Sequence, residues 1–189
     1  MPLDRAQLRQ GQIGESEIGK WVIGRGSCVL PVYEIELDHG KGPRFWTPKG
    51  TLVAPDMFVM PAMIWIEAKH KSVFTWYRKK ERWVTGIDLH HYRDYQQVQK
   101  TSGRRVWLLF LHRESTPHFR DLDAGCPEQC PVGLFGAALD VLTKNESHQH
   151  ENWGPHGMVY WAVPPLKLIS TLEDMQLSSP GGNLTGPGP

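Results

Sequence analysis

The sequence is short of cysteine, of net charge and of long apolar runs. Its three cysteines are an odd number in a chain without a recognisable signal peptide, which favours a reducing, cytoplasmic setting. Lysines and arginines number 21 against 20 aspartates and glutamates, so no overall positive field attracts nucleic acid. Any such binding must come from local patches. No apolar run reaches the roughly 20 residues that a membrane-spanning helix needs, so we expect no membrane partner.

The composition is otherwise that of an ordinary globular protein, with 40% hydrophobic and 22% charged residues. A length of 189 residues favours a single domain with a substantial core. The chain after residue 178 is rich in serine, glycine and proline, which favours disorder. We therefore predict one domain over residues 1–170 and a disordered tail over residues 171–189.

The most informative segment places two acidic residues and a lysine around an apolar run. Residues 63–66 are continuously apolar, with β-branched and aromatic side chains, and this predicts a buried strand. Glu67 and Lys69 then lie on one face, because strand side chains repeat every two residues. If Asp56 precedes a neighbouring strand, as a hairpin would place it, two carboxylates and an ammonium converge at one end of the sheet.

Such a convergence favours a hard divalent cation. Mg²⁺ takes oxygen ligands, commonly one or two carboxylates together with waters and phosphate oxygens. A bound ion activates water for attack on a phosphodiester and neutralises charge on the phosphorus oxygens. An acid and a lysine two residues apart are also common on solvated strand edges, so this pair alone does not choose between a metal site and a surface.

The literal motif makes the pattern more specific. Pro55-Asp56, a gap of ten residues and Glu67-Ala68-Lys69 together resemble the PD-(D/E)XK nuclease superfamily. Upstream, a helix carrying an early glutamate and ending near Gly26 is similar to the first helix of that family. Glu15 fits the position found in archaeal Holliday-junction resolvases better than Glu17, which remains an alternative.

Two further elements extend the resemblance to about residues 10–112. A helix predicted from Asp88 to Thr101 and an apolar strand from Val106 to Leu111 are similar to those that complete the αβββαβ core. The resemblance implies an α/β, restriction-endonuclease-like fold, a mixed central sheet flanked by helices, followed by a C-terminal extension over residues 113–170.

The resemblance also implies a chemistry, that of a metal-dependent DNA nuclease. Asp56 and Glu67, assisted by the Ala68 carbonyl, would hold Mg²⁺ or Mn²⁺. Lys69 would orient or help to deprotonate the attacking water, and Glu15 would order a water or a second ion. Cutting both strands of a duplex needs two sites, which favours a homodimer, although no self-complementary patch is visible in the sequence.

DNA contacts are predicted on a basic hairpin that follows the motif. Residues 73–77 and 82–85 favour strands, and the charged turn between them would project near the site. Half of the hairpin aromatics should face the core, because alternate side chains point inward. The residues predicted to contact DNA are Lys71, Arg78, Lys79, Lys80 and Arg82. His90 and His91 are candidate proton donors to the leaving oxygen, with simple surface exposure as the alternative.

The extension carries a second candidate metal site. Cys126 and Cys130, with His148, His150 and His156, are side chains of the kind that form a closed zinc site. Their spacing departs from the two-residue gap of a zinc knuckle, and the cysteines could equally be unliganded thiols one helical turn apart. Residues 133–141 are predicted to be helical. Two alternative functions therefore stay open, a nucleic-acid-binding module without turnover and a zinc-stabilised interaction domain.

Overall fold

A computed structural model describes residues 5–34 and 43–178 of the chain. The helices are α1 Arg5–Gly24, α2 Leu89–Ser102, α3 Phe119–Leu122, α4 Leu139–Lys144 and α5 Leu172–Ser178. The strands are β1 Cys28–Pro31, β2 Arg44–Thr47, β3 Gly50–Val53, β4 Met57–Met60, β5 Ile64–Lys71, β6 Thr75–Tyr77, β7 Arg82–Asp88, β8 Val106–His112, β9 Gly133–Ala138, β10 Glu146–His150, β11 Met158–Ala162 and β12 Lys167–Ser170. None of these helices combines the length and the apolar character needed to cross a bilayer.

A six-stranded mixed sheet forms the centre of the molecule. Its strand order is β1-β4-β5-β8-β9-β12. Strands β5 and β8 are parallel, whereas the other neighbours are antiparallel. Helices flank this sheet, so the predicted α/β class is confirmed.

Strand β8 explains how both faces of the sheet are covered. Leu109 and Leu111 pack with Ile18 and Val22 of α1, whereas the alternate side chains of β8 pack with α2. Because successive strand residues point to opposite faces, α1 and α2 lie on opposite sides of the sheet. A strand that is buried on both faces reads as a continuous apolar run, and this is why β8 was predictable.

A second, four-stranded antiparallel sheet has the order β10-β11-β7-β6. Its inner face contributes Ile87, Val159 and Trp161 to the same core cluster as α2. The predicted basic hairpin corresponds to β6 and β7, with a short 3₁₀ turn over Arg78–Lys80 at its tip. A separate hairpin of β2 and β3 contacts α2.

The prediction of a helix over residues 133–141 is wrong for most of that range. Gly133–Ala138 forms β9, and the helix α4 begins only at Leu139. Residues 134–137 are buried between β8 and β12, and a short apolar run covered on both sides carries no periodicity to separate strand from helix. As a result, the C-terminal extension completes the central sheet.

The predicted tail also begins too early. Residues 172–178 form α5, in which Met175 is buried against the cluster that includes α1. An apolar anchor within a short polar segment is enough to fix this helix on the core. Residues 179–189 lie outside the described part of the chain, as does most of the basic loop before Arg44.

Candidate functional site

Two adjacent strands bring the predicted carboxylates together. Met57 in β4 pairs with Ile66 in β5, so Asp56, just before β4, faces the next residue of β5, Glu67. The peptide N–H of Ala68 donates a hydrogen bond of 2.7 Å to Asp56 Oδ2. This bond fixes the Asp56 carboxyl beside β5 at the point where the pairing of β4 with β5 ends.

Lys69 lies on the same face of β5 as Glu67, as the two-residue period predicts. Its ammonium forms an ion pair with Glu67 Oε1. Glu67 is fully buried, whereas the Lys69 side chain is 28% exposed. The lysine therefore contacts the buried Glu67 while part of its side chain remains in solvent at the mouth of the site.

Helix α1 supplies the third carboxyl group through a close approach to β5. A side chain at Gly14 would clash with His70 Cβ and would also come within 3.1 Å of its Cγ. The absence of that side chain lets the helix lie against β5, and the next residue, Glu15, then interacts with Lys69 and Glu67. Glu17 instead forms an ion pair with Arg113. The structure therefore places Glu15 at the site and Glu17 away from it.

The three carboxyl groups repel one another. Burial, followed by the charge of Glu67, raises the pKa of Asp56 well above its ordinary value, although Lys69 opposes the shift. Burial also raises the pKa of Glu15. Burial alone would lower the pKa of Lys69, but the attraction of Glu67 and Asp56 outweighs it, so the pKa rises and the side chain is an ammonium ion.

This donor set fits a hard cation. Both carboxylate oxygens of Glu67 are buried, and neither accepts a hydrogen bond of standard geometry. A carboxylate offers about four acceptor sites, so beside its ion pair with Lys69 the buried Glu67 carboxylate keeps acceptor capacity for Mg²⁺ or Mn²⁺. Among the residues that the structure describes, no three His, Cys, Asp or Glu side chains form a ready-made metal group. Two carboxylates suffice for Mg²⁺, since water and substrate oxygens complete its shell.

Helix α2 adds two residues to the site. Burial and the charge of Lys69 lower the pKa of His91 to about 4, so its imidazole is neutral at neutral pH. The hydroxyl of Tyr95, one helical turn on, approaches Glu67 without reaching standard hydrogen-bond geometry. Tyr95 was missed because its helical spacing in the sequence indicates only a core residue.

The predicted DNA-contacting residues fall into two groups. Burial and the charge of Lys69 lower the pKa of Lys71, which places this lysine beside the site. The other four lie at the end of the β6–β7 hairpin, where Arg78 donates a hydrogen bond of 2.8 Å to the Arg120 carbonyl. Lys79 and Lys80 are exposed at the tip.

The candidate zinc ligands are not assembled. Cys130 is buried and donates its thiol hydrogen bond to the Glu114 carbonyl, whereas Cys126 bonds to the Pro127 carbonyl. The histidines belong to the second sheet and the turn after it, and His148 stacks between two tyrosines there. Within residues 5–34 and 43–178, cysteines and histidines form no joint metal group.

Comparison of the chain with protein-family models, with curated proteins and with solved structures found no match in any of the three.

Proposed function

We propose that this protein is a metal-dependent nuclease of the PD-(D/E)XK type that hydrolyses phosphodiester bonds in DNA. The observation that carries the proposal is the convergence of Asp56, Glu67 and Lys69 on two adjacent strands, with Glu15 delivered by α1. Buried carboxyl groups with raised pKa values around one ammonium are costly to maintain, and such arrangements concentrate at functional sites.

The order of the elements supports the proposal. Helix α1, strands β1, β4 and β5, helix α2 and strand β8 follow one another as α-β-β-β-α-β, with β1, β4, β5 and β8 adjacent in the sheet. The hairpins β2–β3 and β6–β7 are then insertions into this series. The remaining strands of the central sheet extend it beyond β8.

The residues divide the work by position and charge. Asp56 and Glu67 would hold Mg²⁺ or Mn²⁺, assisted by the Ala68 carbonyl, and this ion would supply an activated water and a Lewis acid. Lys69, at the mouth of the site, would orient the water and stabilise charge on the phosphate oxygens. Glu15 would accept a hydrogen bond from that water. His91, as a neutral imidazole, can donate a hydrogen bond to the scissile phosphate but is a weak proton donor at neutral pH.

One alternative rests on the same contacts. The bond from Ala68 to Asp56 and the pair of Glu67 with Lys69 are also what a purely structural buried network contains. A nucleic-acid-binding module could retain both without turning over a substrate. Activity measurements separate the two functions, because a binding module would bind nucleic acid without cleaving it.

The test is cleavage of labelled single-stranded, duplex and four-way-junction DNA with Mg²⁺, with Mn²⁺ and with a chelator. We expect cleavage that needs the metal and that falls about 100-fold or more in Lys69→Ala. Glu15→Gln and Glu17→Gln form a matched pair on one helix, and only the first should reduce the rate. A folded wild-type protein that binds but cuts none of these substrates would refute the nuclease and favour the binding module.

A further inference from the structure

The four-stranded sheet packs one of its faces on the core. Ile87, Val159 and Trp161 are at most 2% exposed and form the inner face. Because side chains alternate, the residues next to them in the strands point the other way. Val84 and Ala162 are buried at one end of this outer face, whereas the residues toward its other end do not belong to the core.

Aromatic and imidazole rings cover this outer face. The ring of His148 stacks on Tyr77 at 4.0 Å between centroids and on Tyr160 at 4.7 Å. In the turn that follows β10, Trp153 stacks on His150 at 4.2 Å and meets Tyr160 edge-on at 5.9 Å. Trp153 remains 49% exposed, so ring surface is open to solvent at this end. We call these five residues the ring face: Tyr77, His148, His150, Trp153 and Tyr160.

The backbone beneath the rings is shaped to receive them. Gly86 in β7 pairs with Tyr160 in β11, and a side chain at Gly86 would come within 2.8 Å of Tyr160 Cδ1. The missing side chain leaves room for the tyrosine ring beside the strand. Stacked, immobilised rings lose little further conformational entropy when a planar ligand binds them.

Positive charge borders the ring face. Residues 78–82, which we call the basic tip, contain four basic residues and one acidic residue, Glu81. Lys79 and Lys80 are exposed, and neither forms an ion pair within the part of the chain that the structure describes. After burial, the charges of His150 and of the basic tip are what lower the pKa of His148, so the tip faces the stack.

A turn and a series of histidine rings connect the ring face to the part of α2 beside the candidate catalytic site. The turn that carries Trp153 is tied to the start of α2 by a 3.0 Å hydrogen bond from the Leu89 N–H to the Gly157 carbonyl. His156 of this turn lies 4.4 Å from His90, whose ring is 4.1 Å from that of His91. His91 in turn feels the charges of Lys69 and Glu67.

We propose that the ring face and the basic tip together bind single-stranded nucleic acid. Unpaired bases would stack on the open rings, and the phosphates would lie against Lys79 and Lys80. Every base presents a π-face, so stacking tolerates any sequence, whereas a duplex hides those faces. Exposed lysines without partners complement phosphate and do not favour an apolar protein surface. As an account of substrate choice, the proposal rests on the proposed nuclease function, and it implies a substrate with an unpaired segment.

Binding is measured by fluorescence anisotropy, with chelator present so that nothing is cut. The probes are oligothymidylate and oligouridylate of about 15 nucleotides and the corresponding DNA duplex. We expect single strands to bind more tightly than the duplex. Trp153→Ala and Tyr160→Ala should each weaken binding about ten-fold, whereas Trp153→Phe and Tyr160→Phe should retain most of the affinity. The two single strands distinguish DNA from RNA as the source of the bases.

Two controls make the result specific. Trp46, 76% exposed on the β2–β3 hairpin, lies outside the ring face, so Trp46→Ala should leave the affinity unchanged. The double variant Lys79→Ala/Lys80→Ala should reduce the slope of log affinity against log salt by about 1.4, the value for two phosphates of a single strand.

Equal affinity for duplex and single strand, or an equal loss in Trp46→Ala and Trp153→Ala, would overturn the proposal. Its failure is separable from that of the nuclease. Binding that depends on the ring face, without any cleavage, would support the binding surface and refute the nuclease function. Metal-dependent cleavage together with binding that does not depend on the ring face would support the nuclease and refute the binding surface.

Discussion

Replacement of Lys69 by methionine would remove the ammonium that pairs with the fully buried Glu67. Removing one partner of a buried ion pair costs about 3–5 kcal/mol, because the remaining charge is left without compensation. Lys69 is 28% exposed, so water already screens part of the interaction. We therefore expect the lower end of this range, a loss of about 3 kcal/mol in the free energy of unfolding near neutral pH.

The loss should depend on pH with a defined sign. In the folded protein the pKa values of Asp56 and Glu15 are raised, so their favourable contribution is present in acid and is lost as the pH rises through the folded pKa values. Without Lys69 both pKa values rise further. Acidification then protonates these groups in the folded variant, and the difference from the wild type should shrink as the pH falls from neutral.

Urea denaturation at neutral pH and at a mildly acidic pH, with chelator present, measures the effect. The double variant Lys69→Met/Glu67→Gln should be more stable than the sum of the two single losses implies, by about 1–3 kcal/mol, because both partners are removed together. A loss below about 0.5 kcal/mol, typical of a solvated surface pair, would refute the buried cluster. A loss of equal size at both pH values would refute the electrostatic explanation.

Three further predictions concern the rest of the fold and the metal. Burial and the charge of Lys71 hold the pKa of His112 at about 3, so the free energy of unfolding should decrease below about pH 6.5, by about 2 kcal/mol near pH 5. Urea titrations of His112→Leu should not show this decrease. Gly14→Ala should displace α1, lower the free energy of unfolding by about 1–3 kcal/mol and reduce cleavage. Gly19→Ala, whose new methyl group would lie 3.6 Å from Tyr33, should keep both stability and cleavage, and an unaffected Gly14→Ala would disprove the close approach. Mg²⁺ at about 100 times its Kd should stabilise the wild type by about 2.7 kcal/mol in thermal unfolding, and an equal shift in Asp56→Asn would remove Asp56 from the metal site.

Local patterns were sufficient for the elements that border the candidate site. The run before Glu67 and the two-residue period placed Glu67 and Lys69 on one face of β5, as the structure has them. Helical spacing placed α2 within a residue of its observed bounds, and the charged turn placed the β6–β7 hairpin. Each of these signals arises from residues a few positions apart.

The same reasoning failed where burial removed the pattern. Strand β9 was predicted as a helix, because residues 134–137 are apolar toward both sides and carry no period. Local pattern also did not distinguish Glu15 from Glu17, and the preference for Glu15 came from the family resemblance. Both lie on α1, and the packing of that helix, with Gly14 against β5, places the first near Lys69 and the second at Arg113.

The sequence by itself determined the strand that carries Glu67 and Lys69, the helix after it and the basic hairpin, because backbone period and turn chemistry act over a few residues. The tertiary structure alone decided the rest. It joined β9 and β12 to the central sheet, brought α1 against β5, and stacked Tyr77 on His148, which lie in different hairpins. Contacts between distant segments depend on which faces pack together, and that choice is made by the burial of the whole chain.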